Sequence, residues 1–150
     1  MDSWTSVKPL HREDAQTMLA DLARIRHLLT TSRTIAVVGL SLKESRPSNM
    51  VARYLISAGF RVIPVNPGQE TILGLPCFPD LPAIPEPVDI VDIFRKADEV
   101  GPVVDEAIRI GARAVWMQEG LVNETAAATA RKAGLTVVMD RCIKTDHQQL

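Results

Sequence analysis

Five short apolar runs, rich in β-branched residues, alternate with amphipathic segments of helical periodicity between residues 34 and 140. The runs are continuously apolar, which is typical of strands that are covered on both faces. Strands that alternate with helices form βαβ units with right-handed crossovers, and therefore a parallel sheet. The pattern predicts an α/β domain of three layers around a parallel sheet of about five strands. The predicted strands are 34–38, 61–65, 89–94, 114–118 and 136–140.

An N-terminal helix is predicted over residues 14–30, with Asp14 as its N-cap. It either packs on the sheet or forms a contact in a homodimer. Three further helices are predicted: one capped by Ser45 or Ser48 that stops at Gly59, one over 97–110, and one from an Asn123 cap to Gly134. The apolar face of the N-terminal helix holds Met18, Leu22, Ile25 and Leu29.

Two segments fit this alternation less well. Residues 71–88 are rich in proline, which excludes a long helix. We expect a short strand near residues 75–78 and one helical turn after Asp80. The tail, residues 141–150, is polar and is expected to be partly irregular.

The length of 150 residues suits one domain, which we divide into an N-terminal helical extension (1–30) and a core (31–146). A formal net charge of -1 argues against a nucleic-acid surface, so an anionic ligand would need a local group of cations. No apolar run approaches the ~20 residues of a membrane span. With two cysteines and no apolar signal-peptide core, we expect a cytoplasmic protein. The three histidines lack metal-ligand spacing and are interpreted as surface residues: His11, His27 and His147.

The turns that follow the five predicted strands carry small or polar residues. In an open parallel sheet, ligands bind beyond the carboxyl ends of the strands, where the strand order reverses. Because these ends share one edge, we expect all five turns to face one crevice. The turns are Gly39-Leu40-Ser41, Asn66-Pro67-Gly68, Phe94-Arg95, Gln118-Glu119-Gly120 and Asp140-Arg141-Cys142.

The loop after the first strand, residues 39–49, indicates an anion-binding site. A glycine that ends a strand, followed by a loop and a helix start, offers backbone N–H groups to a phosphate. The alternative is a solvated loop with a capping serine. The loop lacks GxxxxGK[ST] and a complete GxGxxG, and residues 66–69 lack the acid that holds ribose in dinucleotide folds. Hydroxyl donors and cations in the loop are Ser41, Lys43, Ser45, Arg46 and Ser48.

The other turns permit a binding and a structural interpretation. Pro67 either packs against a base or belongs to a simple Pro-Gly turn. Arg95 either binds phosphate or is a surface cation, and Trp116 is assigned to the core. Asp92, inside an apolar strand, is expected to have a buried hydrogen-bond partner. Cys142 is reactive if nearby cations stabilise its thiolate, and inert otherwise; the cations beside it in the sequence are Arg141 and Lys144.

Several motifs, in this order, resemble the small CoA-binding-domain proteins of the YccU-like (CoA_binding_2) family: TIAVVGLS, VIPVNPG, LPCFPDL, VDIVDIFRKADEV, ARAVWMQEGLVNE and VVMDRCIK. They are also similar to the CoA-binding domain of the succinyl-CoA synthetase α subunit. The resemblance covers about residues 30–146 and implies a Rossmann-like fold that holds coenzyme A. Gln69 stands near the position of a synthetase lysine, and no ligase activity is expected.

The resemblance also implies contacts for individual residues. Gly39, Leu40 and Ser41 would lie against the pyrophosphate of coenzyme A, and Lys43, Arg46 and Ser48 would assist with the phosphates. Asn66 and Pro67 would border the adenosine, and Phe94 and Arg95 would lie along the nucleotide. Gln118 and Gly120 would lie towards the pantetheine.

We therefore expect a protein that binds coenzyme A or an acyl-CoA at the carboxyl edge of the sheet, without catalysis of its own. No Ser-His-Asp or Cys-His arrangement is recognisable, so no catalytic residue is assigned. No metal, nucleic acid or membrane partner is expected. One alternative is an NAD(P)-dependent oxidoreductase, which the βαβ pattern permits. Another is a thiol-linked role in which Cys142 forms a mixed disulfide with CoA.

Overall fold

A computed structural model describes residues 12–150, with side chains from Asp14 onwards. It divides into two compact units, the first ending at Thr31 and the second running from Ser32 to Leu150. The first unit contains the predicted N-terminal helix, α1 (Arg12–Thr31). Asp14 was expected as its N-cap but lies inside the helix, which begins two residues earlier. The single-domain assignment and the packing of this helix stay predictions, and His11 lies outside the described residues.

A parallel sheet of five strands forms the centre of the second unit, as predicted. The strands of the second unit are β1 (Thr34–Val38), β2 (Arg61–Val65), β3 (Thr71–Ile72), β4 (Leu75–Pro76), β5 (Ile90–Ile93), β6 (Ala114–Met117) and β7 (Thr136–Val138). The strand order in the sheet is β2-β1-β5-β6-β7, and each neighbouring pair is parallel. The chain crosses from β2 past β1 to β5, so the strand order reverses between β1 and β5. A separate antiparallel hairpin joins β3 and β4.

The strands are continuously apolar because alternate side chains enter two different layers. On one face, Val91 and Val115 pack with apolar residues of α3 (Val100–Arg109) and α4 (Glu124–Lys132). On the opposite face, Asp92 of β5 lies between its register partners Val37 of β1 and Trp116 of β6. Helix α2 (Pro47–Ser57) packs against β2 and against α5 (Ile143–Gln148). None of the helices in residues 12–150 is both long and apolar enough to cross a membrane.

The helix starts agree only in part with the sequence analysis. Asn123 caps α4 as predicted, since its Oδ1 accepts a hydrogen bond of 3.0 Å from the N–H of Ala126. Neither serine caps α2, because Arg46 occupies the N-cap position without a side-chain hydrogen bond and Pro47 is the first helical residue. Ser48 lies within the helix, where its hydroxyl accepts from the N–H of Ser41 at 3.0 Å.

The proline-rich segment and the tail agree with expectation only in part, since the short strand expected near residues 75–78 is present as β4 (Leu75–Pro76). Two residues after β4, Phe78 forms a single parallel bridge to Val65 of β2. The residues after Asp80 form a turn instead of a helical turn, in which the Asp80 carboxylate accepts from the N–H of Ala83 at 3.0 Å. The tail contains α5, whose first residue Ile143 is fully buried. A helix of six residues with one buried apolar side chain has too few positions to show periodicity.

Candidate functional site

A cleft lies at the carboxyl edge of the sheet, between the turns that follow β5 and β6 and the start of α2. Its volume is about 560 Å³. Parallel pairing brings these strand ends to one edge, and the reversal of strand order between β1 and β5 opens space between them. The cleft is lined by Pro47, Ile93, Phe94, Arg95, Lys96, Ala97, Glu99, Gln118, Glu119, Gly120 and Leu121.

The turn after β1 passes directly against the end of β5. Gly39 has φ +85°, and a Cβ placed on it would lie 2.1 Å from the carbonyl oxygen of Phe94. The N–H of Phe94 donates to the carbonyl of Val38 at 2.9 Å. Only glycine adopts this backbone conformation at this distance, so Gly39 sets the approach of the two turns.

Asn66 joins the turns that follow β1 and β2. Its Nδ2 donates to the carbonyl of Leu40 at 3.0 Å, and its Oδ1 accepts from the N–H of Gly68 at 2.9 Å. Pro67 is exposed beyond this bridge. The side-chain amide of Asn66 is therefore engaged within the protein, whereas Pro67 and Gly68 of the same turn are exposed.

The backbone of the 39–49 loop is engaged internally more than the sequence suggested. The N–H of Gly39 donates to the carbonyl of Val65 at 2.9 Å, and that of Ser41 donates to Ser48. The side chain of Leu40 is fully buried. These two N–H groups were expected to bind an anion, but both already have acceptors within the protein. Binding of an anion by this loop would therefore depend more on its cationic side chains.

Arg95 and Lys96 line the cleft, whereas Lys43 and Arg46 lie on the loop after β1 and are not among the lining residues. Lys43 and Arg46 are exposed, and no hydrogen bond or ion pair of their side chains occurs among residues 14–150. Arg95 is half-buried, with its Nη1 4.0 Å from a carboxylate oxygen of Glu99. Lys96 also lines the cleft and was missed by the sequence analysis, although its position directly after Arg95 was a usable signal.

Hydrogen bonds attach the residue 140–143 segment to the wall of the cleft. The buried Gln118 accepts from the N–H of Ile143 at 3.2 Å, and the N–H of Gly120 donates to Asp140 at 2.7 Å. Trp116 is fully buried, as predicted, and its Nε1 donates to the carbonyl of Arg141 at 2.8 Å. Half-buried Cys142 lies within this segment, one residue from the Gln118 contact.

The groups expected around Cys142 have other partners. Arg141 forms an ion pair with Asp146, with two N–O distances of 2.7 and 2.8 Å. The ammonium of Lys144 lies 5.7 Å from the ring centre of Tyr54. His147 is half-buried and shares a hydrogen bond of 2.6 Å with the Tyr54 hydroxyl, so its interpretation as a surface residue was wrong.

Asp92 lacks the buried partner that was expected for it. The residue is fully buried, and neither carboxylate oxygen has a hydrogen-bond partner among the described residues. Burial raises the pKa of Asp92 well above its usual value, and the negative charge of a Cys142 thiolate raises it further. A carboxyl group in such a place keeps its proton at pH values where a solvated one is ionised.

No group of three or more His, Cys, Asp or Glu side chains that could hold a metal ion occurs in the part of the chain described. The contacts that the resemblance implies to coenzyme A stay predictions. The structure nevertheless brings Phe94, Arg95, Gln118 and Gly120 to one cleft, with Gly39 and Cys142 in segments attached to its walls.

Comparison with known proteins gives relatives of similar length and relatives that are much longer. The chain is 42% identical over 125 residues to the YneT protein of Bacillus subtilis (strain 168), which covers 83% of this chain and 93% of that protein. A solved structure, a hypothetical protein from Pyrococcus horikoshii OT3, superposes with a TM-score of 0.84 at 40% identity, covering 86% of this chain and 91% of the other.

A longer relative is acetate–CoA ligase [ADP-forming] I of Archaeoglobus fulgidus, 27% identical over 121 residues. The match covers 74% of this chain but only 18% of the ligase. Residues 33–148 match the family model of the CoA binding domain, CoA_binding_2. The matched residues make up nearly all of the second structural unit. The chain therefore belongs to the CoA-binding domain family.

Proposed function

We propose that this protein binds coenzyme A, or an acyl-CoA, across the carboxyl edge of its sheet and does so without catalysis of its own. The observation that carries the proposal is the cleft at the reversal of strand order, which joins an aromatic ring, a cation and a buried amide: Phe94, Arg95 and Gln118. Small-molecule sites in open parallel sheets lie in this position.

The distribution of charge suggests how the ligand is oriented. The phosphates of coenzyme A are anionic, and the exposed Lys43 and Arg46 lie on the loop after β1. On the side of the cleft formed by the turn after β6, Glu119 is the charged residue. Because phosphates avoid a carboxylate and pair with cations, we place them beside Lys43 and Arg46. The uncharged pantetheine then lies towards Gln118 and Gly120.

The ligase relative supports binding more than it supports catalysis. It is named for a reaction of CoA, and this chain corresponds to 18% of its length. In residues 14–150, the hydrogen bonds near the cleft tie loops together, and His147, which is hydrogen-bonded to Tyr54, is not among the lining residues. These observations favour a binding module over a complete enzyme.

Calorimetric titration of Arg46→Ala with coenzyme A tests the proposal. Loss of one charged phosphate contact should weaken binding on the order of tenfold, without loss of folding, because Arg46 is exposed. Arg131→Ala makes the same change of charge in the last turn of α4 and should leave the affinity unchanged. Equal affinity of Arg46→Ala and the wild type would remove Arg46 from the site.

A thermal-shift comparison with coenzyme A, acetyl-CoA, NAD and NADP separates the proposal from its oxidoreductase alternative. A ligand that binds only the folded protein raises the melting temperature in proportion to its occupancy. We expect a rise with the two CoA compounds and none with NAD or NADP. Stabilisation by NAD or NADP alone would overturn the proposal.

A further inference from the structure

Asp92 is a buried charge-bearing group that the proposed CoA contacts leave unused. It lies in β5 beside Val37 and Trp116, and both carboxylate oxygens are buried without a hydrogen-bond partner in the described chain. Burial of an unpaired polar group costs free energy, and most such groups in proteins are satisfied. Asp92 lies in β5, and the end of this strand lines the cleft. Its unpaired carboxyl group is therefore a candidate for a role in the chemistry of a bound ligand.

Cys142 is the ionisable side chain whose charge acts on Asp92. The segment that carries Cys142 is held against the end of β6 by Trp116 and Gln118. Gln118 lines the cleft, and Cys142, which is half-buried, is not itself among the lining residues. Cys142 thus has a cleft residue on one side and a buried carboxyl within electrostatic range on the other.

We propose that Cys142 is a site of covalent attachment for coenzyme A, formed by exchange with a CoA disulfide and assisted by the carboxyl group of Asp92. The inference rests on the proposed function, because the cleft is what brings the thiol end of the ligand to Cys142.

The exchange is balanced in atoms and electrons. The sulfur of Cys142 attacks one sulfur of the CoA disulfide, the Cys142–CoA bond forms, and the sulfur–sulfur bond of the reagent breaks. The Cys142 sulfur is oxidised and the departing CoA sulfur is reduced. The proton lost by Cys142 is taken up by the departing CoA thiolate.

Asp92 is a positioning residue in this step. Burial raises the pKa of Asp92 and so favours the protonated carboxyl, which can donate a hydrogen bond to sulfur as negative charge develops there. An ionised carboxylate in the same place would repel that charge.

Cys77 provides an internal comparison. It is also half-buried, and its Sγ donates a weak hydrogen bond to the carbonyl of Asn66 at 3.5 Å. Burial raises the pKa of the Cys77 thiol, and this is the largest effect on it. Since the thiolate is the reactive form, Cys77 should react slowly.

Intact mass and peptide mapping after incubation with CoA disulfide test the attachment. The wild type and Cys77→Ser should each gain one CoA at Cys142, and Cys142→Ser should gain none. The wild type should react at least tenfold faster with CoA disulfide than with glutathione disulfide, because the cleft recognises the nucleotide. No adduct on the wild type, an adduct that maps to Cys77, or equal rates with the two reagents would overturn the inference.

Calorimetry of the reduced protein with coenzyme A, run in parallel, separates this inference from the proposed function. Binding without an adduct rejects attachment at Cys142 and leaves CoA binding intact. Absence of binding by the reduced protein rejects the proposed function and, with it, this inference.

The part played by Asp92 is tested with Asp92→Leu and Asp92→Asn. Asp92→Leu removes the donor and should slow adduct formation about tenfold at neutral pH, with unchanged affinity for reduced coenzyme A. Asp92→Asn keeps an uncharged donor and should react near the wild-type rate at neutral pH. The pH profile of the wild-type rate should contain one ionisation more than the profile of Asp92→Asn.

Other charged groups near Cys142 are the same in all three proteins: Arg141 with Asp146, and Lys144 and His147 beside Tyr54. Superimposable pH profiles of the wild type and Asp92→Asn would exclude Asp92. This comparison decides the matter even if the leucine variant does not fold.

Discussion

The carbonyl oxygen of Phe94 occupies the space next to Gly39 where any other residue would carry its Cβ. An added Cβ would lie 2.1 Å from that oxygen, well inside van der Waals contact. This relationship fixes the spacing between the turn after β1 and the turn after β5, between which the strand order reverses. The position of the cleft therefore depends on a residue without a side chain.

Gly39→Ala should destabilise the protein by about 3 kcal/mol or more, since it combines a positive φ with a backbone clash. Gly59→Ala is the matched control, because Gly59 has φ +97° and no atom within 4 Å of an added Cβ. Its cost should be only the conformational strain, about 1–2 kcal/mol. Urea unfolding of both variants measures the difference, and equal losses would show that the turns separate easily.

The sheet and the edge that carries the cleft were predictable because they follow from residue patterns that recur along the chain. Each strand is a continuous apolar run, and parallel pairing then forces the turns at residues 39, 66, 94 and 118 to one edge. The cap at Asn123 was predictable because its side-chain hydrogen bond is local in sequence.

The errors arose where tertiary contacts decide. Helix α5 depends on burial of Ile143 and on the Gln118 hydrogen bond, and neither can be read from six residues. Asp92 was expected to have a partner because buried carboxylates generally do, and sequence pattern does not show which neighbours a strand will have. The loop N–H groups of Gly39 and Ser41 were expected to be available, but folding supplied acceptors for both.

The stability of the protein should depend on pH through Asp92. Its pKa is raised on folding from a usual value of 3.8, so above that pH the native state holds a proton that the unfolded chain releases. This contribution to stability is complete below pH 3.8 and decreases as pH rises towards the folded pKa.

Asp92→Asn removes that proton difference, so the stability of the variant relative to the wild type should increase with pH above 3.8. The slope should reach at most about 1.4 kcal/mol per pH unit, the value for one proton. Unfolding by urea at several pH values measures it. A difference between the two proteins that is constant with pH would show that Asp92 ionises normally when folded.

Gln118→Leu should release α5 from the cleft wall. The change keeps the approximate size of the side chain but removes the oxygen that accepts from Ile143, and a lost buried hydrogen bond costs about 1–3 kcal/mol. Hydrogen exchange should accelerate in residues 143–148 and stay unchanged in β1. Tyr54→Phe removes another contact of α5, the hydrogen bond to His147, and should accelerate the same amides. Unchanged exchange in both variants would mean that neither contact holds the helix.

Asn66 allows the structural and electrostatic contributions of one residue to be separated. Asn66→Ala loses the bonds to Leu40 and Gly68, whereas Asn66→Asp keeps the acceptor for Gly68 and places a negative charge near the carbonyl of Leu40. If the nucleotide of coenzyme A lies beside this turn, the aspartate should weaken binding more than the alanine, because it repels the phosphates. That excess loss should shrink as salt is raised, since ions screen exposed charges. Calorimetry of both variants at low and high salt measures it. Equal affinities of the two variants at low salt would place the phosphates away from this turn.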